Sequence, residues 1–405
     1  RRGIVLDILS AMALGDYLSR GLGQIGLEFW QNVSRDVFLN VGMEYKNSNR
    51  FWERVECREV ESLAGKEQRF CESNRQLDKD IIAHFGSATP DAKYYLLHYA
   101  AGWDSNRNAV PLLLLHGAGL DATSFCDVFA LGYTGLQQQL VELGYRVFAL
   151  SFSHPHGDNY YQALQLADAI SRVRELTGAP QVDVLAHSKG GLAAWIYLAG
   201  LAGIPYNGEV RRYIMLGTPN GGTDFAFRNP MFNYLIYISG SNGVMAWDQI
   251  LSLGSLVDCS KQAIYHDGCF PGQSQMLARW DEEFALDPLQ QDWWSTYYGG
   301  FGLISHSRGI DAAIQDGGYC IQKLNQHGLP PEIELAVLAG DKHFLNCFPG
   351  EGSAPSDGLV LVDSVLNTDG LMKEGAKLLE KTVLPLNHLE LLFARGVGRW
   401  VDRQL

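Results

Sequence analysis

The chain has 405 residues, of which 46% are hydrophobic, 11% aromatic and 19% charged. This length and apolar content allow one sizeable core with additions to it. The formal net charge of −13 argues against nucleic acid or an anionic membrane as an electrostatic partner. No apolar run reaches bilayer-spanning length, since Asp7 and Asp16 interrupt the segment 4–18, so we expect a protein that is not integral to a membrane.

The N-terminal residues 1–92 contain none of the motifs described below. Hydrophobic periodicity predicts helices over 4–18 and 51–63, and we expect a largely helical N-terminal extension. From residue 93 strands alternate with helices, which predicts an α/β protein with a mostly parallel sheet and helices on both faces. The predicted strands are 94–99, 111–115, 146–152, 182–185, 213–216, 334–338 and 381–384.

A glycine-bounded turn, His116-Gly-Ala-Gly119, follows the apolar strand 111–115. Glycines let the chain turn sharply and leave a backbone N–H free. We assign that N–H to Ala118, as one donor to the oxyanion that develops during acyl transfer. The alternative is an ordinary strand that ends in a tight turn.

The strand 182–185 leads through Ala186-His-Ser-Lys-Gly-Gly191 into an apolar helical segment. This pattern predicts a nucleophile elbow, a strained turn that exposes one serine between a strand and a helix. The small residues on either side of the serine let the strand and the helix approach each other. We assign Ser188 as the nucleophile and the N–H of Lys189 as the second oxyanion donor. The alternative is a chance serine in an ordinary strand-to-helix turn.

The segment 223–331 has no place in a minimal α/β core, and we predict a helical cap that covers the serine, buries an acyl chain and excludes water. The alternative is that its aromatic residues form the cap's own core. Ser307 imitates the elbow, but no β-rich strand precedes it, and we do not expect it to be the nucleophile. The aromatic residues are Phe225, Phe227, Phe232, Tyr234, Tyr237, Trp247, Trp280, Trp293, Trp294, Tyr297 and Tyr298.

The C-terminal part of the chain supplies a histidine and two candidate acids. His388 follows the last predicted strand and precedes an apolar segment, 389–405, for which we predict a helix. A histidine suits a general base that takes a proton from the serine and later returns it, because its pKa is near neutral. Asp341 follows a strand directly, whereas Asp357 lies in an Asp-Gly turn before an apolar run. We favour Asp357 and keep Asp341 as the alternative acid, since Asp341 continues into a solvated Lys-His pair.

Over residues 93–405 the chain resembles the bacterial triacylglycerol lipases and lipase-like esterases of the α/β-hydrolase superfamily. The resemblance implies an α/β-hydrolase core over 93–222 and 332–405, the chain order Ser, Asp, His, and Asp357 as the acid. Lys189 departs from the family pattern, in which this position is more often apolar or an amide. The motifs that carry the resemblance are His116-Gly-Ala-Gly, Ala186-His-Ser-Lys-Gly-Gly, Leu216-Gly-Thr-Pro-Asn-Gly-Gly-Thr223, Ser356-Asp-Gly-Leu-Val and Asn387-His388-Leu.

We predict no cofactor, with a weak calcium site as the alternative. In the calcium-bearing relatives a carboxylate stands two positions after the catalytic histidine, and Glu390 occupies that place here, with Asp341 as a second ligand. Calcium takes six or more oxygen ligands, of which the sequence identifies two. The competing interpretation of Glu390 is a solvated carboxylate in the first turn of a helix.

The motifs together predict a serine carboxylic-ester hydrolase of lipase or esterase type that acts on hydrophobic esters with medium or long acyl chains, at a lipid or polymer surface. One alternative uses the same triad on a polyester, or hands the acyl group to an alcohol or amine. A second alternative, from another class, is a catalytically inactive hydrolase fold used for binding.

Seven cysteines allow up to three disulfides, and their spacing shows no metal-binding pattern. The first pair that we expect is Cys259 with Cys269. We therefore expect an exported protein, secreted or periplasmic. The alternative is a cytoplasmic enzyme with buried free thiols.

Overall fold

A computed structural model describes most of the chain from residue 51 onward. The predicted helix over 4–18 lies outside the described residues. The described ranges are 51–126, 134–229, 245–252, 254–264, 268–288, 293–343 and 354–405.

The centre of the molecule is an eight-stranded sheet. From one edge to the other its strands are β1 (Arg54–Glu59), β2 (Tyr94–Tyr99), β4 (Val147–Phe152), β3 (Leu112–Leu115), β5 (Val182–His187), β6 (Val210–Leu216), β11 (Glu334–Gly340) and β12 (Lys377–Leu384). The first three strands in this order pair antiparallel, and the others pair parallel. The predicted mostly parallel sheet is therefore confirmed, as is each of its seven predicted strands.

Helices cover both faces of this sheet. The helix Asn159–Thr177, α3, shows how the sequence sets their ends: the Asp158 carboxylate accepts a hydrogen bond from Tyr160 N–H at the start, and Gly178 ends the helix with a φ of 66°. The helices are α1 (Lys79–Phe85), α2 (Leu136–Glu142), α3 (Asn159–Thr177), α4 (Lys189–Leu198), α5 (Phe225–Arg228), α6 (Pro271–Ser274), α7 (Trp293–Tyr298), α8 (Ile310–Asp316), α9 (Cys320–Leu324), α10 (Val362–Leu366) and α11 (Arg395–Gln404).

The sheet divides the core into two layers. In β3, Leu113 and Leu115 pack with α3 and α4 on one face, whereas Leu112 and Leu114 pack with α2 and α11 on the other. Successive side chains of a strand point to opposite faces, so a strand that is covered on both sides is apolar throughout. This explains why four consecutive leucines form one strand rather than a helix.

The helix predicted over 51–63 is wrong, because this segment contains β1, which pairs antiparallel with β2 at the edge of the main sheet. Trp52, Val55 and Leu63 have a spacing that imitates one face of a helix. Charged side chains are common on edge strands. In β1 the charged side chain of Arg58 donates a hydrogen bond to the Asp168 carboxylate of α3 (2.7 Å). The first described segment is therefore bound to the core by both backbone and side-chain contacts.

The predicted helical cap is only partly helical. It contains α5 to α9, but also a four-stranded antiparallel sheet in the order β8-β7-β10-β9. Strands of two to four residues are too short to show an alternating hydrophobic pattern, which is why the sequence did not reveal them. The cap strands are β7 (Gln249–Ser252), β8 (Ser255–Asp258), β9 (Gly300–Phe301) and β10 (Ser305–Ser307).

Cys259 and Cys269 are both buried, and no disulfide joins them. The expected pairing is therefore wrong for these two positions. Among the described helices, none has the length and apolar character to cross a membrane.

The C-terminal helix α11 begins six residues later than predicted. Asn387 accepts hydrogen bonds from Leu389 N–H (3.1 Å) and Glu390 N–H (2.9 Å), which turns the chain before the helix can form. The Trp400 side chain of α11 is buried against the sheet, and its indole N–H donates to Thr382 Oγ1 of β12 (3.0 Å). This contact joins the last helix to the last strand.

We predict that Trp400→Ala lowers the free energy of unfolding by about 3–5 kcal/mol, because it removes a large buried ring and leaves a cavity. Urea unfolding followed by circular dichroism measures the change. Arg399→Ala, at an exposed position of the same helix, is the matched control and should change stability little. Equal losses for the two variants would contradict this account of the packing.

Candidate active site

Ser188 joins β5 to α4 in a strained backbone conformation. Its φ is 54° and its ψ is −130°, values that a residue with a side chain rarely adopts. Its N–H donates to the Leu216 carbonyl of the neighbouring strand (2.9 Å), which holds the turn in place. Strained residues of this kind persist only where the surrounding structure imposes them, and they concentrate at functional sites.

The glycines after the serine are required by close packing. A Cβ at Gly190 would lie 2.5 Å from the backbone oxygen of His116, and a Cβ at Gly191 would overlap with the Thr218 side chain. Neither neighbour has room to move, since the first is backbone and the second is fully buried. The N-terminus of α4 can therefore approach the ends of β3 and β6 only without side chains at these positions.

The turn after β3 lies directly against the serine. A Cβ at Gly117 would be 2.9 Å from the Cβ of Ser188. The buried His116 ring stabilises this turn, because its Nδ1–H donates to the Gly117 carbonyl (2.8 Å) and its Nε2 accepts from Phe152 N–H (3.1 Å). Burial lowers the pKa of His116 to about 3, so this histidine is neutral and structural rather than a base.

Two backbone N–H groups beside the serine have no partner among the described residues. These are the N–H groups of Ala118 and Lys189, the two that the sequence predicts as oxyanion donors. Ala118 is partly buried, and the N–H of Lys189 is the first of α4, where a helix leaves its N–H groups without a partner in the helix itself. An unpaired pair next to a strained serine can bind a developing negative charge.

Asp357 and His388 are hydrogen-bonded to each other and buried. His388 Nδ1–H donates to Asp357 Oδ2 (2.6 Å), and His388 N–H donates to the Asp357 carbonyl (2.9 Å). The other carboxylate oxygen accepts from the N–H groups of Leu359 (3.0 Å) and Val360 (2.8 Å). This arrangement leaves Nε2 of His388 as the ring nitrogen that can accept a proton.

His187 precedes Ser188 in the chain and contacts His388. Its ring lies 4.6 Å from the His388 ring, centroid to centroid, and its Nε2–H donates to the His388 carbonyl (3.0 Å). Burial lowers the pKa of His187 well below its usual value, so the ring is neutral. His187 lies within the predicted elbow motif, but its contact with a residue 201 positions away leaves no local signal in the sequence.

The three predicted triad residues therefore meet at one end of the sheet. Gly217 lies beside them: a Cβ there would be 3.1 Å from His388 Nδ1 and 3.2 Å from Asp357 Oδ2. Within the described part of the chain no hydrogen bond joins Ser188 Oγ to His388. Such bonds are often long without substrate and tighten when it binds.

Asp341, the alternative acid, lies elsewhere. It follows β11 on the surface, where its N–H donates to the Leu384 carbonyl (2.9 Å), and it makes no hydrogen bond to His388 among the described residues. Gly340, the residue before Asp341, lets the end of β11 pass close to Asp357: a Cβ at Gly340 would be 2.8 Å from the Asp357 Cβ. Of the two candidate acids, only Asp357 contacts His388.

Among the residues that the structure describes, the two predicted calcium ligands, Asp341 and Glu390, are not part of a metal-binding cluster. The Glu390 carboxylate accepts from Lys342 Nζ (2.6 Å) and from Asn387 N–H (2.9 Å), which already balances its charge. No group of three or more metal-binding side chains occurs among the described residues. Asp341 and Glu390 therefore do not fit the six or more oxygen ligands of calcium.

Ser307, which imitates the elbow in sequence, is part of the cap. It is the last residue of β10, a strand of only three residues that is not the apolar, β-rich kind of strand that leads into Ser188. Its Oγ donates to the Thr296 carbonyl (2.9 Å) and accepts from Gly309 N–H (2.9 Å). This buried, hydrogen-bonded hydroxyl has none of the surroundings of Ser188.

Part of the aromatic set forms the core of the cap itself. Phe227, Trp247 and Tyr297 are buried there, and the Tyr297 hydroxyl donates to the Asp224 carboxylate (2.8 Å). Trp294 and Tyr298 are exposed. The aromatics Phe232, Tyr234 and Tyr237 lie outside the described residues, as does the Trp293 side chain.

Comparisons with known proteins agree with this topology. A family model described as the alpha/beta hydrolase fold matches residues 110–262. Triacylglycerol lipases from Pseudarthrobacter phenanthrenivorans and Burkholderia plantarii are each 34% identical to this chain over 119 residues, which is 29% of this chain and 35% and 31% of the two relatives. The chain thus spans about a third of the length of these curated relatives.

Solved structures with similar chains include lipases and related proteins. The mature form of lipase BlEst2 from Bacillus licheniformis is 16% identical, with 73% of this chain and 91% of that chain covered and a TM-score of 0.38. A lipase-esterase related protein from Clostridium acetobutylicum is 15% identical, with 76% and 98% covered and a TM-score of 0.38.

The strand order of the main sheet and the family match define the class. The chain has the α/β-hydrolase fold, and the predicted resemblance to the lipases of this superfamily is confirmed.

Proposed function

We propose that this protein is a serine carboxylic-ester hydrolase of lipase or esterase type, with Ser188 as nucleophile, His388 as general base and Asp357 as the acid that orients it. The observation that carries the proposal is the buried hydrogen bond from His388 Nδ1 to Asp357 beside the strained serine. The two unpaired N–H groups next to that serine support the same reaction type. Geometry and residue roles, rather than fold alone, are what support a reaction.

The proposed reaction proceeds through an acyl-enzyme. Ser188 Oγ attacks the ester carbonyl carbon while His388 Nε2 takes the hydroxyl proton, and the carbonyl oxygen becomes an anion held by the N–H groups of Ala118 and Lys189. His388 then returns the proton to the departing alcohol as the carbon–oxygen bond breaks. A water molecule, deprotonated by His388, attacks the acyl-enzyme and releases the carboxylic acid and the free serine.

The proposed substrates are hydrophobic esters with medium or long acyl chains. The relatives in the comparison are named triacylglycerol lipases, which supports this class of substrate. Two hairpins of the cap, β7–β8 and β9–β10, expose apolar side chains near their tips. Leu256 pairs with Leu251 in the first hairpin, and the Leu251 N–H donates to the Ile304 carbonyl at the tip of the second. Leu256 and Leu303 are 72% and 75% exposed. Exposed apolar groups of this kind favour contact with a lipid or polymer surface.

We predict that a fluorophosphonate probe labels the protein on Ser188, and that Ser188→Ala abolishes both labelling and ester hydrolysis. Loss of a triad nucleophile lowers turnover roughly a millionfold. Mass spectrometry of the labelled protein identifies the site, and Ser307→Ala is the matched control that should label normally. Labelling that persists in Ser188→Ala would move the nucleophile elsewhere, and an unlabelled, inactive wild type would favour a binding protein.

We predict that Asp357→Asn lowers kcat by about ten thousandfold, because an asparagine beside Nδ1 favours the wrong histidine tautomer. Asp341→Asn should change kcat little, since Asp341 is exposed and makes no hydrogen bond to His388 among the described residues. Steady-state hydrolysis of a soluble ester by the two variants measures the difference. The opposite ranking would overturn the choice of Asp357.

We predict a preference for medium or long acyl chains over acetate. Each CH₂ buried in an apolar site adds up to about 0.8 kcal/mol of transition-state binding until the site is full. A panel of p-nitrophenyl esters of increasing chain length, read as kcat/KM, tests this, with emulsified lipid and a polyester film as further substrates. An enzyme fastest on acetyl esters would be a small-ester esterase, and one active on the film alone would be a depolymerase.

A further inference from the structure

The side chain of Lys189 is buried at the start of α4. Only 1% of it is exposed, and its Nζ donates a hydrogen bond to Gln162 Oε1 of α3 (2.5 Å). Among the described residues no carboxylate forms an ion pair with it. A lysine is rarely fully buried without an ion partner, so this position has a role that the fold alone does not explain.

The cap encloses this lysine from the other side. A Cβ at Gly272 of α6 would overlap with Lys189 Cε and lie 2.8 Å from Nζ. The same cap segment is hydrogen-bonded to the loop after β4, because Gly272 N–H donates to the His156 carbonyl (3.1 Å). Asn159 N–H of α3 also donates to Gln275 Oε1 of the cap (2.8 Å). The lysine side chain therefore lies between α3, the cap and the elbow.

The backbone of the same residue carries the proposed oxyanion donor. The N–H of Lys189 is the first of α4 and is unpaired among the described residues. An oxyanion donor works only if it is held close to its required position, and a shift of one ångström is costly. The bond from Nζ to Gln162 and the contact with Gly272 attach this donor to two separate elements.

We propose that Lys189 is a positioning residue of the reaction, whose ammonium group anchors the oxyanion donor to α3 and to the cap segment 271–274. This inference rests on the proposed function. A bond from a charged donor is about twice as strong as one from a neutral donor, so the protonated lysine is the better anchor. The anchor acts on the transition state, where the oxyanion exists, more than on substrate binding.

The charge of Lys189 changes near neutral pH. Burial lowers its pKa to about 7, with the Asp158 carboxylate and the Cys320 thiol acting in the opposite direction. His116 and His154 face the ammonium as well, and its charge contributes to lowering the pKa of each, after the larger effect of burial. The ammonium is present below this pKa and lost above it, so the anchor weakens as the pH rises through about 7.

The test compares wild type with Lys189→Met, which keeps an unbranched side chain as far as Cε but removes the ammonium group, its charge and its hydrogen bond. We expect kcat to fall about tenfold or more, as for loss of a charged hydrogen bond, with KM little changed. We also expect the wild-type kcat to decline as the pH rises through about 7, and this decline to be absent in Lys189→Met. Lys381→Met, at an exposed lysine of β12, is the matched control.

A second variant, Gln162→Glu, covers the case in which Lys189→Met does not fold. It keeps an acceptor for Nζ and adds a negative charge beside it, which raises the pKa of the lysine, so the decline in kcat should move to higher pH. An unchanged profile in Gln162→Glu would overturn the proposal. A folded Lys189→Met with wild-type kcat, or with only KM altered, would also overturn it.

Labelling of Ser188 separates this inference from the proposed function. If the wild type is labelled and hydrolyses esters, and Lys189→Met behaves like the wild type, only the proposed role of Lys189 is wrong. If the wild type is neither labelled nor active on esters, the proposed function itself is wrong.

The pH dependence of stability provides an independent check. Between pH 7 and 10.5 the folded protein binds fewer protons than the unfolded chain, because the pKa of Lys189 is lowered by burial. The free energy of unfolding of the wild type should therefore rise with pH in this range, and Lys189→Met should lack this rise.

Discussion

The close approach of α4 to the ends of β3 and β6 is the constraint on which the site depends. It places the strained Ser188 at the carboxyl end of the central strand β5, and it is possible only because Gly190 and Gly191 have no side chains. The backbone oxygen of His116 and the Thr218 side chain fill the space that larger residues would need. The packing of the parallel sheet behind Ser188 therefore offsets the free energy that its strained backbone costs.

The meeting of Ser188, Asp357 and His388 was predictable because each of the three residues follows a strand of a parallel sheet. The carboxyl ends of such strands lie along one edge, so residues far apart in sequence meet there. The choice between two acids was also within reach of the sequence. The Asp-Gly turn allows Leu359 and Val360 to donate to one carboxylate oxygen of Asp357, which leaves the other for His388. Asp341 lacks such a turn and stays on the surface.

The features that the sequence did not reveal depend on contacts over long distances. β1 has a helical spacing of apolar residues, and only its pairing with β2 makes it a strand. The cap strands have two to four residues, which is too few for an alternating pattern. The role of His187 rests on a hydrogen bond to the carbonyl of His388, and no local pattern encodes that contact. Tertiary pairing thus decides these cases against local preference.

Lys189 shows a conflict between local stability and the requirements of the site. A cation in the first turn of a helix opposes the positive end of the helix dipole, and burial without an ion pair adds to the cost. Acidic residues that could provide a counter-ion are abundant in the chain, which has a net charge of −13. The same positive potential that destabilises α4 in the resting protein favours an anion beside the N–H of Lys189. Conflicts between local preference and global fold are expected where function imposes them, and in this molecule one lies next to the strained serine.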